Sequence, residues 1–226
     1  MMTIDEVLQT LESLGSEQTR KTYRRHGVKG AVYGVSYAEL KKLTKKIKTD
    51  QSLAQALWAS ENHDARILAL MIADPKQATG PLLDRWVADL SDYVVTDALS
   101  AYVVKTALAR EKAEVWTQSP EEWIGSVGWN VLAGLAMNDQ TLPDAYFEPY
   151  VSRIERDIHA GKNRLRHAMN SALIAIGTRD SALEQKAIAA AMRIGKVVVN
   201  HGETNCKTPD AVSYIKKVKE RKAETV

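Results

Sequence analysis

The 226-residue chain has a single cysteine, Cys206, so an intrachain disulfide is impossible. That fits a reducing compartment. No apolar run approaches the ~20 residues that a bilayer-spanning helix needs. Strand signals are nearly absent, and Val197-Val198-Val199 is the one β-branched run, a short one. Residues 1–14 are amphipathic and acidic, whereas a secretion signal is basic and then apolar, so the expectation is a cytoplasmic protein with no membrane association. No Pro/Gly/Ser-rich linker or shift of composition marks a domain boundary. A single domain over residues 1–226 is therefore expected, although this length also suits two small ones. No sharp internal repeat stands out either.

What the chain does have is an uneven distribution of charge. Its net charge is only +3. Residues 16–48 nevertheless hold ten basic side chains against two acids, Glu17 and Glu39. Residues 50–148 reverse the balance, with fifteen acids and six bases, and residues 193–222 are basic again, with eight bases and three acids. Positive surface near both ends suits a polyanion such as a nucleic-acid backbone. In the first basic stretch Tyr23, Tyr33 and Tyr37 are interleaved with Arg24, Arg25 and the lysines. Lys41, Lys42, Lys45, Lys46 and Lys48 would cover much of one helix surface. The alternative is a solvated lysine face.

Helix punctuation recurs along the chain. Thr3 and Glu6 have the spacing of a capping box before Ile4, Val7, Leu8 and Leu11, with Gly15 as a stop. Ser16 begins a helix that Gly27 ends, and Ser36 with Glu39 repeats the capping-box spacing. Asn62 precedes an apolar face of Ala65, Leu68, Ala69 and Ile72. Ser119-Pro120-Glu121-Glu122 predicts a helix start with proline at its first position. Leu165, Ala168, Met169, Ala172, Leu173 and Ile176 form a stripe closed by Gly177, and Thr208-Pro209-Asp210 predicts the start of a last helix. About a dozen helices with short connections pack most naturally as stacked antiparallel pairs, an all-α helical solenoid. A compact irregular bundle is the structural alternative.

Three places invite a chemical reading. Tyr93 and Asp97 lie four residues apart and share a helical face. A carboxylate with an aromatic ring beside it suits a reaction that builds positive charge on a sugar, or the orientation of a water. A solvated helix aspartate is the plain alternative. Around Trp58, the indole reads as core, Asn62 as a cap, and Asp64 or Arg66 as a surface pair; His63 beside an acid would titrate near neutrality, against a structural role. In residues 200–210, His201, Glu203 and Cys206 bring zinc to mind, but a deaminase-type site needs a second cysteine that the chain lacks, and neither metal nor cofactor is expected. Lys207 and the start of the Thr208 helix read better as an anion site, with a plain capping loop as the alternative.

Together these segments resemble the DNA alkylation repair family, the AlkD-like HEAT-repeat DNA glycosylases. The matching stretches are His26-Gly27-Val28, Tyr33-Gly34-Val35-Ser36, the lysine-rich helix, Leu57-Trp58-Ala59-Ser60, His63-Asp64-Ala65-Arg66, and Trp86 leading to Tyr93 and Asp97. The resemblance implies a HEAT-like superhelix whose basic concave face holds duplex DNA by its backbone, acting as a monomer. It also implies release of cationic N3- or N7-alkylated purines, with Asp97 as the catalytic carboxylate and Tyr93 beside it. DNA contacts are expected from Arg24, Arg25, Tyr33, Lys41, Lys45, Lys46, Trp58, Trp129, Arg166 and Lys207. The sequence departs from the family pattern in three places. Tyr93 stands where a tryptophan belongs, no arginine pair falls near Val127-Gly128, and Ser171 lies near the position of a second tryptophan. A DNA-binding member without catalysis and a helical-repeat scaffold for an acidic protein partner are the competing expectations.

Overall fold

A computed structural model describes residues 2–223. Among them are thirteen α-helices, two single turns of 3₁₀ helix and no strand. The Val197-Val198-Val199 run is irregular. The described chain divides into two compact units.

The first unit comprises residues 1–108 with residues 202–204. Its helices are α1 (Ile4–Leu14), α2 (Glu17–Arg25), α3 (Tyr37–Ile47), α4 (Gln51–Ala59), α5 (His63–Ile72), α6 (Gly80–Ala88) and α7 (Tyr93–Val103). Polar residues start them as their chemistry dictates. Thr3 and Glu6 close the expected capping box on α1. The side chains of Ser16, Ser36, Asp50, Asn62, Thr79 and Asp92 accept backbone N–H groups at the starts of the other six. Neighbouring helices then pack, with α4 on α5, α5 on α7, and α3 on α5. α5 packs against α1, α3, α4 and α7: its Ala65, Ile67, Leu68 and Ala69 are fully buried, as are Leu40, Leu57, Leu83 and Leu99 on other helices of the unit. Burial of one such leucine or isoleucine contributes about 1.5–3 kcal/mol.

The second unit comprises residues 109–201 and 205–226. It holds α8 (Ala109–Trp116), α9 (Glu122–Asn138), α10 (Glu148–Asp157), α11 (Asn163–Gly177), α12 (Ser181–Ile194) and α13 (Ala211–Ala223). α9 and α11 form its main packed pair, and α8 lies on α9. Glycine sets the closeness of the α8–α9 contact. A Cβ on Gly128 would lie 2.4 Å from the Thr117 amide nitrogen. Arg179 ties the far end together. Its guanidinium donates to the carbonyls of Ala136, Asp139 and Leu142 at 2.9 Å each and pairs with Asp144 at 2.7 Å.

Two expected helix starts are displaced. Pro120 lies outside α9, which begins at Glu122 with Glu121 at its cap position and no side-chain cap bond; the Ser119 hydroxyl accepts the Glu121 amide, ahead of the helix. The last helix begins at Ala211, and Asp210 caps it by accepting from Ser213 at 2.8 Å.

Candidate nucleic-acid interface

The Asp97 region is built from the N-terminus of α5 outward. Asn62 caps this helix through the amides of Asp64 and Ala65. Asp64 is fully buried and not the surface residue its sequence suggests. Its carboxylate accepts three backbone N–H groups, from Tyr33 at 2.6 Å, Gly34 at 3.1 Å and Val35 at 2.8 Å. Three donors on one anion replace its lost hydration. They also fix the loop that enters α3. Gly34 has φ of 82° there, and a Cβ on it would meet the Ser16 carbonyl oxygen at 2.6 Å. The Tyr23 hydroxyl donates to the Val35 carbonyl at 2.8 Å and secures the same loop from α2.

His63, beside Asp64, fixes the other side. It is buried, its ring lies 4.7 Å from that of Tyr23, and its Nδ1 sits 3.3 Å from Asp92 Oδ2. Asp92 uses its other oxygen to cap α7 through Val94 and Val95. Burial acts to raise the Asp92 carboxyl, but the hydrogen bonds from His63, Val95 and Val94 and the charge of His63 hold it below its ordinary value. One pair of adjacent residues on α5 thus positions both the α3 entry and the α7 entry.

These entries carry the side chains of the site. Asp97 is exposed on α7, one turn after Tyr93. The Tyr93 hydroxyl is hydrogen-bonded to His26 Nδ1, and the two rings are 5.7 Å apart. Tyr37, at the start of α3, is 41% exposed. Burial first, and then the Asp97 and Asp92 carboxylates, push its phenol above its ordinary value. Asp97 therefore stands among two tyrosines and, through Tyr93, a histidine. Tyr37 and His26 were absent from the expected site residues. Their only sequence signals were the interleaved tyrosines and the His26-Gly27-Val28 stretch.

The basic surface is carried by α2 and α3. Arg24 and Arg25 are exposed in the last turn of α2, and the Arg24 guanidinium also donates to the Val28 carbonyl at 2.8 Å. Lys41, Lys45 and Lys46 are exposed on α3 and make no ion pair among the described residues, whereas Lys42 is paired with Glu39 at 2.6 Å. Tyr33 is half-buried in the loop that Asp64 holds.

The two tryptophans expected at DNA are core residues. Trp58 is 3% exposed and stacks on Trp86 at 4.8 Å. Its indole N–H donates to Asp89 at 2.8 Å, and the Arg66 guanidinium covers its ring at 5.1 Å. Arg66 is thus tied to Trp58 and to the Asp89 carbonyl, with no bond to Asp64. Trp129 is fully buried in α9, in the second unit. Neither indole presents a face to a ligand.

The remaining expected contacts also belong to the second unit. Arg166 is half-buried on α11, and Lys207 is exposed in the segment after α12. The Thr208 anion site does not form, since the N-terminus of α13 is occupied by the carboxylate of Asp210 and the Thr208 hydroxyl is 2.9 Å from His201 Nε2. Val127 and Gly128, at the place of the family's arginine pair, are buried. No group of three metal-ligating side chains comes together among the described residues.

Stacked helices, an exposed carboxylate among aromatic rings and a basic surface make up the first unit's candidate site and define an all-α helical-repeat protein. The comparisons with known proteins agree. The model of the DNA alkylation repair enzyme family matches residues 7–215, and the chain belongs to this family. It is 33% identical to the uncharacterized protein Lin0241 of Listeria innocua and 32% identical to Lmo0209 of Listeria monocytogenes, in both cases over 98% of this chain and 99% of the relative. A solved structure superposes with a TM-score of 0.89 at 30% identity, covering 98% of this chain and 95% of the other. It is described as a new family of proteins related to the HEAT-like repeat DNA glycosylases with affinity for branched DNA structures. The fold is accordingly the HEAT-like helical solenoid.

Proposed function

We propose that the protein binds DNA through its sugar-phosphate backbone, with a preference for branched or distorted structures, and that α2 and α3 supply the principal contacts. The carrying observation is the set of exposed cations Arg24, Arg25, Lys41, Lys45 and Lys46, none of which forms an ion pair among the described residues. Paired lysines and arginines would have to exchange one partner for another. These five gain phosphate contacts while releasing counterions from the DNA. The preference for branched DNA rests on the solved relative's described affinity.

A second reading has Asp97 catalysing release of cationic alkylpurines, and its favouring observation is the exposed carboxylate beside Tyr37 and Tyr93. A cationic base leaves without a general acid, so the carboxylate would only stabilise the sugar cation or place a water. Against it, Trp58 and Trp86 are stacked on each other in the core and the Tyr93 hydroxyl is engaged by His26. Binding is the better supported function.

Anisotropy with a labelled four-way junction and a linear duplex of the same length tests the proposal. The junction is expected to bind more tightly. Equal affinity for both removes the structural preference, and no affinity for either removes the function. Assay of methylated-purine release by the unmodified protein and by Asp97→Asn decides the second reading. Release that is lost in the variant would restore catalysis.

A further inference from the structure

The second unit gathers three nitrogen-bearing side chains. α11 contributes Arg164 and His167, one turn apart, and His201 folds onto them from the segment after α12. Arg164 Nη1 is 3.5 Å from His201 Nδ1, and the rings of His167 and His201 meet edge to face at 5.5 Å. A guanidinium only donates, so His201 Nδ1 accepts. Its proton then sits on Nε2, which donates to the Thr208 hydroxyl at 2.9 Å. The segment is clamped in place. Asn163 exchanges two hydrogen bonds with the Asn200 backbone, at 2.8 and 2.7 Å, and Asn170 donates to the Pro209 carbonyl at 3.0 Å.

One nitrogen of this group, His167 Nδ1, is buried without a hydrogen-bond partner. Folded proteins rarely leave such groups unmatched, and those they do leave call for an explanation. The nearby acids are otherwise engaged: Glu122 of α9 accepts the Arg164 backbone N–H at 2.6 Å, Glu121 pairs with Lys162 at 3.0 Å, and Asp210 caps α13. Burial, then Arg164 and His201, depress His167 to about 4, and burial and Arg164 depress His201. The imidazoles are thus held neutral first by burial and then by their cationic neighbours. An anion placed among these groups would reverse that effect.

We propose that Arg164, His167 and His201 form a phosphate-binding site in the second unit, and that phosphate binding there is coupled to protonation of the two imidazoles. Guanidinium forks and protonated imidazoles match tetrahedral phosphate oxygens. Lys207, exposed on the same segment, adds positive charge to its approach. The site deepens the DNA-binding reading if the phosphate belongs to a DNA backbone. Free phosphate presents the same oxygens.

Proton NMR titration of the imidazoles in the full chain tests this, with signals assigned from His167→Gln and His201→Gln. Titrations are run in chloride, in inorganic phosphate at matched ionic strength, and with a short duplex. The apparent pKa of both imidazoles is expected to rise by about one unit or more, a tenfold gain in proton affinity. Arg164→Gln should reduce that rise, with its thermal melt checking the fold. A rise with DNA alone identifies a backbone phosphate, and a rise with inorganic phosphate alone identifies a free-anion site. No rise with either overturns the proposal. DNA binding seen by anisotropy without any imidazole response would remove this site and leave the α2–α3 interface standing. A phosphate response without DNA binding would do the opposite.

Discussion

Asp64 shows how much a single buried charge organises. Its local sequence reads as a helix start with acids and a base nearby, which is a surface pattern. Only the amides of Tyr33, Gly34 and Val35, about thirty residues upstream, reveal its work. Asp64→Ala would leave three N–H groups unmatched, each costing about 1–3 kcal/mol when buried. A loss on the order of 3 kcal/mol or more in urea unfolding is expected, with Asp64→Asn milder because its amide oxygen still accepts. Equal stability of Asp64→Ala would mean that the loop holds itself.

His167 gives a pH dependence of defined sign. Its folded value of about 4 lies below the ordinary histidine value of 6.5. The unfolded chain then binds more protons, so stability is fully present above pH ~6.5 and is lost as pH falls toward ~4. The contribution is on the order of 2 kcal/mol after allowing for partial exposure. His167→Gln should flatten unfolding free energy against pH across that window. An unchanged slope would place the titrating group elsewhere. Asp92 adds to the acid loss at lower pH, since its depressed carboxyl stabilises above the ordinary carboxylate range and ceases to do so as pH drops through its folded value.

At the scale of the element, caps were the most legible feature. Thr3, Ser16, Ser36 and Asn62 all cap helices where the sequence placed them, because a cap is a local bond between residues two or three apart. The two Pro-containing starts failed for the same local reason. The Ser119 hydroxyl bonds the Glu121 amide, and Asp210, closer to the helix, takes the cap from Thr208. Packing distances were not legible, since they depend on which surface a helix meets. Gly128 illustrates this. Gly128→Ala would press a methyl against the Thr117 backbone at 2.4 Å and separate α8 from α9, costing about 1–3 kcal/mol. Gly27→Ala, with φ of 85° and nothing within 4 Å, should cost only about 1 kcal/mol. Thermal melts of the two variants separate crowding from backbone strain; equal losses would mean that Gly128 is not the contact that sets the α8–α9 spacing.

At the scale of the molecule, the uneven charge distribution and the all-α class were readable directly from composition, helix periodicity and short connections, whereas the choice of a solenoid over a compact bundle came from the family resemblance. The surroundings of Asp97 were readable only in part. Tyr93 is its neighbour by helical spacing. Tyr37 and His26 reach it from α3 and α2 through folding alone. Trp58 and Trp129 were expected at DNA only through the family resemblance; Trp58 read by itself as core, and both indoles are enclosed by their own units. If the molecule binds without cutting, Asp97→Asn should keep or slightly raise DNA affinity, since one negative charge leaves the surface. A large loss of affinity would assign Asp97 a binding contact.

The most direct test of the central claim is the salt dependence of four-way-junction binding by the unmodified protein and by Lys41→Glu/Lys45→Glu/Lys46→Glu. Each phosphate contact contributes about 0.9 to the slope of log affinity against log salt on duplex DNA. If the three lysines contact phosphates, the variant binds far more weakly at low salt and its slope is shallower by about two to three. An unchanged affinity and slope, in a variant whose thermal melt is intact, would contradict binding through the α3 face.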